Sequence, residues 1–173
     1  MAGVTIRPEE AGDEVRIREL TETAFATAPH ADGQEQEIVD RLRAAGDLSL
    51  SLVAVDGEAI VGHAAFSPAA IGGSGEGWFA LGPISVEPSR QRRGIGSALV
   101  REGLARLRAG GARGCVLVGD PAYYARFGFV GDCGLAFGGI DRRYVHRRYV
   151  QGLSFGGSVP AGTLRFAPAF GLD

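Results

Sequence analysis

The segment Val86-Glu87-Pro88-Ser89-Arg90-Gln91-Arg92-Arg93-Gly94-Ile95-Gly96-Ser97-Ala98-Leu99 runs from an apolar strand through an arginine-rich turn into a helix opened by two glycines. The first amides of a helix have no intrahelical acceptor and sit at the positive end of the helix dipole, so an anion placed there is bound several times over. Gly94 and Gly96 let the backbone approach it, and Arg90, Arg92 and Arg93 add charge-assisted contacts. The run Gln91, Arg92, Arg93, Gly94, Ile95, Gly96, Ser97 therefore reads as a phosphate cradle.

Upstream of the cradle, Trp78 to Val86 is a strand interrupted at Gly82-Pro83, a pair that breaks a ladder and predicts a bulge. Leu48 to Val55 and Ala59 to Phe66 are strand-like runs joined by Asp56-Gly57, which permits the positive φ angles of a tight hairpin. The glycine-rich Ile71 to Gly77 is a loop. At the N-terminus, Val4 to Pro8 is a short strand. A helix follows from about Asp13, with Val15, Ile17, Leu20, Ala24 and Phe25 on its apolar side, and a second spans Gln34 to Ala45 with Ile38, Val39 and Leu42 inward and Gly46 as a stop. Downstream, Ile95 to Ala109 is an amphipathic helix ended by Gly110-Gly111, and Cys115 to Val118 is an apolar strand suited to burial on both faces. Asp120-Pro121 is an N-cap and first position for a brief helix through Tyr124 and Phe127. Further strands are expected to start at Phe129-Val130 and to cover Tyr149 to Phe155 and Thr163 to Phe166.

Composition narrows the function. A length of 173 residues suits one domain with its own core, and the formal net charge of -2 argues against a nucleic-acid coat. All 18 basic residues other than histidine are arginine, and the chain contains neither lysine nor asparagine. Without lysine there is no Walker-A loop, Schiff base or pyridoxal-phosphate anchor. The 2 cysteines, Cys115 and Cys133, are too few for a disulfide framework and are expected to be dispensable. No run of about 18 apolar residues is present to span a membrane, and no signal-peptide core precedes Glu9, so a soluble cytoplasmic protein is expected, without metal, nucleic acid or membrane partner.

The order strand, two helices, hairpin, strand, cradle, helix, buried strand and short tyrosine-bearing helix resembles the GNAT superfamily of N-acetyltransferases from about Val4 to Val150. Gln91-Arg92-Arg93-Gly94-Ile95-Gly96 fits its Q/R-x-x-G-x-G/A signature, and Tyr124-Ala125-Arg126-Phe127-Gly128-Phe129 is similar to its second motif. The resemblance implies an α/β fold with a mixed, mostly antiparallel central sheet splayed at a bulge and flanked by helices. Residues 1–150 would form the acetyltransferase domain and residues 151–173 a strand-rich extension packed on it. By the same resemblance the Gln91 to Ser97 backbone holds the pyrophosphate of acetyl-coenzyme A, and the main chain of Ile84, Ser85 and Val86 pairs with its pantetheine arm. Tyr124 contacts the cofactor and is the general acid that protonates the departing thiolate, with Tyr123 competing for either role. The acetyl group passes directly to a primary amine of a small molecule or peptide in a ternary complex; a homodimer is left open.

Two departures from the family stand out. The strand glutamate used as a base by histone-acetylating members falls on Ala80, which takes no proton; Glu76, His63 and ordered water remain as candidates. The asparagine many members carry after the buried strand is replaced by Gly119-Asp120-Pro121, with Asp120 read as a helix cap. An acetyl-coenzyme A sensor without turnover is the alternative. A dinucleotide-binding reading fails because the third glycine of G-x-G-x-x-G falls on Leu99. Arg142, Arg143, His146, Arg147 and Arg148 either line an acidic-acceptor pocket or protect a solvated strand edge. Trp78, Phe66 and Phe155 either wall the acceptor site or fill a core.

Overall fold

A computed structural model of the chain describes residues 3–29, 31–137 and 146–172. Strands β1 (Val4–Pro8), β2 (Leu50–Asp56), β3 (Ala59–Ile71), β4 (Trp78–Val86), β5 (Gly114–Val118), β6 (Leu135–Phe137), β7 (Val150–Ser154) and β8 (Gly162–Arg165) are interleaved with helices α1 (Glu14–Phe25), α2 (Glu35–Ala45), α3 (Ile95–Ala109) and the one-turn α4 (Pro121–Tyr124). The strand order is β1-β2-β3-β4-β5-β7, with β8 pairing β3 and β6. β1 with β2, β2 with β3, β3 with β8 and β5 with β7 are antiparallel; β4 with β5 and β6 with β8 are parallel. This is the mixed, mostly antiparallel sheet that the sequence predicts. The chain packs as two compact units, Met1–Phe66 with Gly82–Gly103 and Ser67–Leu81 with Leu104–Asp173, and β3 and β4 run through both.

In the first unit, α1 and α2 close over β2 and β3 through Ile17, Leu20, Val39, Val53, Val55 and Ile60. The apolar face of α1 is Ile17, Leu20 and Thr21, at the i, i+3, i+4 spacing of one helical stripe. Thr21 takes a core place because its hydroxyl donates to the Ile17 carbonyl at 2.7 Å. Val15, expected on that face, is 69% exposed, since it lies off the stripe. α2 ends as expected at Gly46, which adopts φ 76° and donates to the Arg43 carbonyl, while Asp47 donates to the Leu42 carbonyl.

In the second unit, β5 is tied to β7 over five pairs, from Gly114↔Ser154 to Val118↔Val150. Its ladder with β4 pairs Trp78, Phe79 and Ala80 with Gly114, Cys115 and Val116, and goes no further along β4. β3 runs past Phe66, where the sequence predicts its end, because Ala70 and Ile71 find partners on β8. The strand expected at Phe129-Val130 is reduced to one bridge, Val130↔Gly152. Among the described residues no helix is long and apolar enough to cross a membrane.

Candidate active site

The cradle lies in the first unit. A 3-10 turn, Pro88–Arg90, leads from β4 toward α3, and Gln91 closes it by donating to the Pro88 carbonyl at 3.5 Å. The Gln91 side chain turns back, its Nε2 donating to the Val86 carbonyl at 3.1 Å. Arg92 then adopts φ 63° and Gly94 φ 86°. For a non-glycine residue such as Arg92 the left-handed region costs about 1–2 kcal/mol, and strain of this kind is retained where function needs the shape. Alternating left-handed positions turn successive N–H groups to one side, which makes a concave anion nest.

Ala98 N–H donates to the Gly94 carbonyl at 3.0 Å, so the helical ladder starts there, and the first N–H groups of a helix have no intrahelical acceptor. Ile95, Leu99 and Val100 are buried and anchor that turn in the core. Of the three cradle arginines expected to meet an anion, Arg92 and Arg93 are exposed. Arg90 differs, because its guanidinium is committed to an ion pair with the Asp56 carboxylate. Ile84 and Val86 are half-buried and Ser85 is buried, its hydroxyl without a partner among the described residues.

His63, a candidate base, is fully buried in the first unit. Its Nε2 lies 2.8 Å from Ser51 Oγ, and that hydroxyl donates to Glu9 Oε1 at 2.9 Å. Ser51 has one hydrogen to give and Glu9 takes it, so the ring nitrogen must carry the proton of the second contact. This leaves Nδ1 bare, and it is buried without a partner. Arg43 completes the chain with Nη2 2.7 Å and Nε 3.1 Å from the Glu9 carboxylate. Burial alone would raise the Glu9 pKa, but hydrogen bonds from Arg43 and Ser51, with the charges of Arg43 and His63, hold it below the usual range. Burial pushes His63 down to about 4, with Arg43 adding to the fall and Glu9 opposing it. His63 is thus a neutral structural histidine, too weak a base for an amine.

The consequence for stability has a definite sign. The unfolded chain takes up a proton on His63 near pH 6.5, whereas the folded chain resists until about 4. The stabilisation is complete above pH 6.5 and falls with acid, by about 3 kcal/mol at pH 4. Urea unfolding of the chain and of His63→Gln, at pH 7 and pH 4.5, should show a steeper acid loss in the parent; equal slopes would show that His63 is not held neutral.

Tyr124 lies in the second unit. Asp120 caps α4 as expected, accepting from the Ala122 amide at 2.9 Å, and Tyr124 N–H donates to the Asp120 carbonyl at 3.1 Å. The Tyr124 ring packs edge-on to Tyr123 at 4.9 Å and to Phe129 at 6.0 Å. It also fills the place of the side chain that Gly119 lacks, since a Cβ there would lie 2.6 Å from its Cε2. Burial first, then the neighbouring Tyr123, Cys115 and Asp120, raise the phenol's pKa above its ordinary value, so Tyr124 stays protonated. Tyr123, the competitor, stacks beneath the Arg126 guanidinium at 4.4 Å.

Ala80 is 2% exposed and belongs to an apolar cluster with Ile71, Trp78, Val116, Leu135, Val150 and Leu164. The place of the family's glutamate is therefore core. Glu76 is exposed on the loop before β4 and borders a cavity of about 630 Å³ with Trp78 and Arg113. The two readings of the aromatic residues resolve toward packing for Trp78, inside this cluster, and for Phe66, buried in the first unit. Phe155 lies under the Arg108 guanidinium at 4.7 Å. His146 accepts from the Arg148 amide at 3.2 Å, and Arg147 and Arg148 are exposed; Arg142 and Arg143 lie outside the described residues. Both cysteines are free, and burial pushes the Cys115 thiol far up, away from any nucleophilic thiolate. Among the described residues no group of His, Cys, Asp and Glu is placed to hold a metal ion.

One residue escaped the sequence reading. Gln151 of β7 is 1% exposed, and its Nε2 donates to the Gly119 carbonyl at 2.9 Å. The signal was a lone carboxamide in the otherwise apolar or glycine run Val150 to Leu153, on a strand that borders the buried β5.

Comparisons with known proteins fit this arrangement. The chain is 41% identical over 96 residues to the uncharacterized N-acetyltransferase YhbS of Escherichia coli K12, a match spanning 55% of this chain and 58% of the relative. It is 33% identical over 128 residues to the uncharacterized N-acetyltransferase YjhQ of the same strain, covering 72% of this chain and 68% of that one. Among solved structures, a GNAT family acetyltransferase from Brucella melitensis in complex with acetyl-CoA superposes with a TM-score of 0.83 at 47% identity, covering 96% of this chain and 97% of its own. The E. coli YhbS structure in complex with CoA gives a TM-score of 0.85 at 29% identity, over 97% and 92% of the two chains. The family described as acetyltransferase (GNAT) domain matches residues 5–130, a span that takes in the cradle and Tyr124, and the chain accordingly belongs to the GNAT acetyltransferase family.

Proposed function

We propose that this protein is an N-acetyltransferase that moves the acetyl group of acetyl-CoA to a primary amine of a small molecule or peptide, by direct attack in a ternary complex. The observation that supports the reading is the pair of left-handed positions at Arg92 (φ 63°) and Gly94 (φ 86°) just before α3, a backbone pattern suited to an anion nest. In this reading the Gln91 to Ser97 main chain takes the pyrophosphate, with the Gln91 amide itself given to the Pro88 carbonyl, Arg92 and Arg93 add charge, and the main chain of Ile84, Ser85 and Val86 takes the pantetheine arm. The Val86 carbonyl already accepts from Gln91, so that side chain stiffens the strand end beside the cradle.

An amine with a pKa of about 10 must lose a proton before it attacks, and the coenzyme A thiolate must gain one as it leaves. With Ala80 in the core and His63 tied to Ser51, neither supplies the base, which leaves Glu76 or water to carry that proton away. Tyr124, kept neutral by burial, supplies the second proton from its hydroxyl. The buried thiol of Cys115 makes an acyl-cysteine intermediate unnecessary to the scheme.

Calorimetric titration with acetyl-CoA and thiol release across an amine panel test the whole reading. Binding with turnover supports it, binding without turnover on any amine favours the sensor alternative, and no binding removes both. Tyr124→Phe is expected to lower kcat about 100-fold, the scale of general acid catalysis, with acetyl-CoA affinity within about threefold of the parent. A kcat within a few-fold of the parent would show that the phenol is not the proton donor.

A further inference from the structure

We propose that Gln151 is a positioning residue for Tyr124, acting through the Gly119 peptide. The inference rests on the reading of Tyr124 as the proton donor. Gly119 joins the end of β5 to the Asp120 cap of α4, and both of its backbone groups are held from the β7 side. Its N–H donates to the Tyr149 carbonyl at 3.0 Å and its carbonyl accepts from Gln151 Nε2 at 2.9 Å. The Tyr124 ring lies on this peptide where a side chain would be, within 2.6 Å of an added Cβ. The plane of the Gly119 peptide thus sets where the ring rests, and Gln151 sets that plane.

The second observation is the other half of the carboxamide. Gln151 Oε1 is buried with no partner among the described residues. The amide is not turned the other way, because that would set two acceptors face to face at the Gly119 carbonyl. Methionine or leucine would pack in this place without a stranded side-chain oxygen but would leave the Gly119 carbonyl without its donor. The buried Oε1 offsets part of what the Nε2 bond contributes, and the bond's distinctive effect is to fix the Gly119 carbonyl.

The experiment uses Gln151→Met, equal in length and without the amide, in the parent and in the Tyr124→Phe background. In the parent it is expected to lower kcat by about 10-fold with acetyl-CoA affinity within about threefold and a modest fall in Tm, since the loss of the donor to the Gly119 carbonyl is offset only in part by the loss of the stranded Oε1. In the Tyr124→Phe background the same change should lower kcat by less than about twofold, because its route is already cut. With [13Cζ]tyrosine labelling, Gln151→Met should move the resonance that Tyr124→Phe removes. Equal losses in both backgrounds, or an unmoved resonance, overturn the inference while leaving Tyr124 as donor. A fully active Tyr124→Phe overturns the donor reading and this inference together. If Gln151→Met fails to fold, Gln151→Asn, whose amide falls short of Gly119, carries the same comparison.

Discussion

Gly94→Asp is expected to weaken acetyl-CoA binding by about 100-fold, roughly 2.8 kcal/mol, while leaving the fold intact. Gly94 adopts φ 86°, a region where any Cβ is strained, but the space around it is open, with nothing within 4 Å of an added Cβ. The cost to folding is thus the conformational cost alone, about 1 kcal/mol. The cost to binding is larger on two counts. The nest loses its shape, and a carboxylate stands where the paired phosphates are to sit, against hydrogen bonds to charged groups worth about 1.5–3 kcal/mol each. Gly94→Ala separates the counts, since it carries the strain without the charge and should bind only several-fold more weakly. Titration calorimetry reads both variants beside the parent. An aspartate variant that binds as tightly as the parent would remove the cradle, and the enzyme reading with it.

Restoring the family's carboxylate by Ala80→Glu is expected to cost about 3 kcal/mol or more of stability and to add nothing to turnover. The Ala80 side chain belongs to a cluster with Ile71, Trp78, Val116, Leu135, Val150 and Leu164, in which the Trp78 indole N–H is the sole side-chain donor and the rest is hydrocarbon, too little to solvate a carboxylate. Burial raises the folded-state pKa of such a group above the unfolded value near 4.3, so the penalty is small in acid and grows as pH rises. Urea unfolding at pH 4.5 and pH 7 should therefore show a larger deficit at pH 7. A variant as stable as the parent, or one that accelerates acetyl transfer, would mean that the face of β4 at Ala80 is open to solvent and substrate.

The parts of the molecule governed by local chemistry were legible in the sequence. Asp56-Gly57 closes the hairpin, Gly46 ends α2 and Asp120 caps α4, each from residues adjacent in the chain. What escaped depends on partners far away in sequence. β3 extends to Ile71 because β8 lies there to pair with it, and Phe129-Val130 stops at one bridge to Gly152. Arg43 of α2 turns to Glu9 and ends the chain through Ser51 to His63, a link across 34 positions that no local pattern announces. Gln151 and Gly119 are 32 positions apart, and no local pattern couples them.

α4 is one turn long and has almost no ladder of its own, so its orientation is imposed by what it stands on: a capped aspartate, a bare glycine and a rung to the neighbouring strand. On the reading proposed for Tyr124 and Gln151, the control of the acid resides on β7, at a side chain that is 1% exposed. Evolution, or an engineer, can retune the proton donor from that concealed side while the residues that recognise the ligand stay as they are.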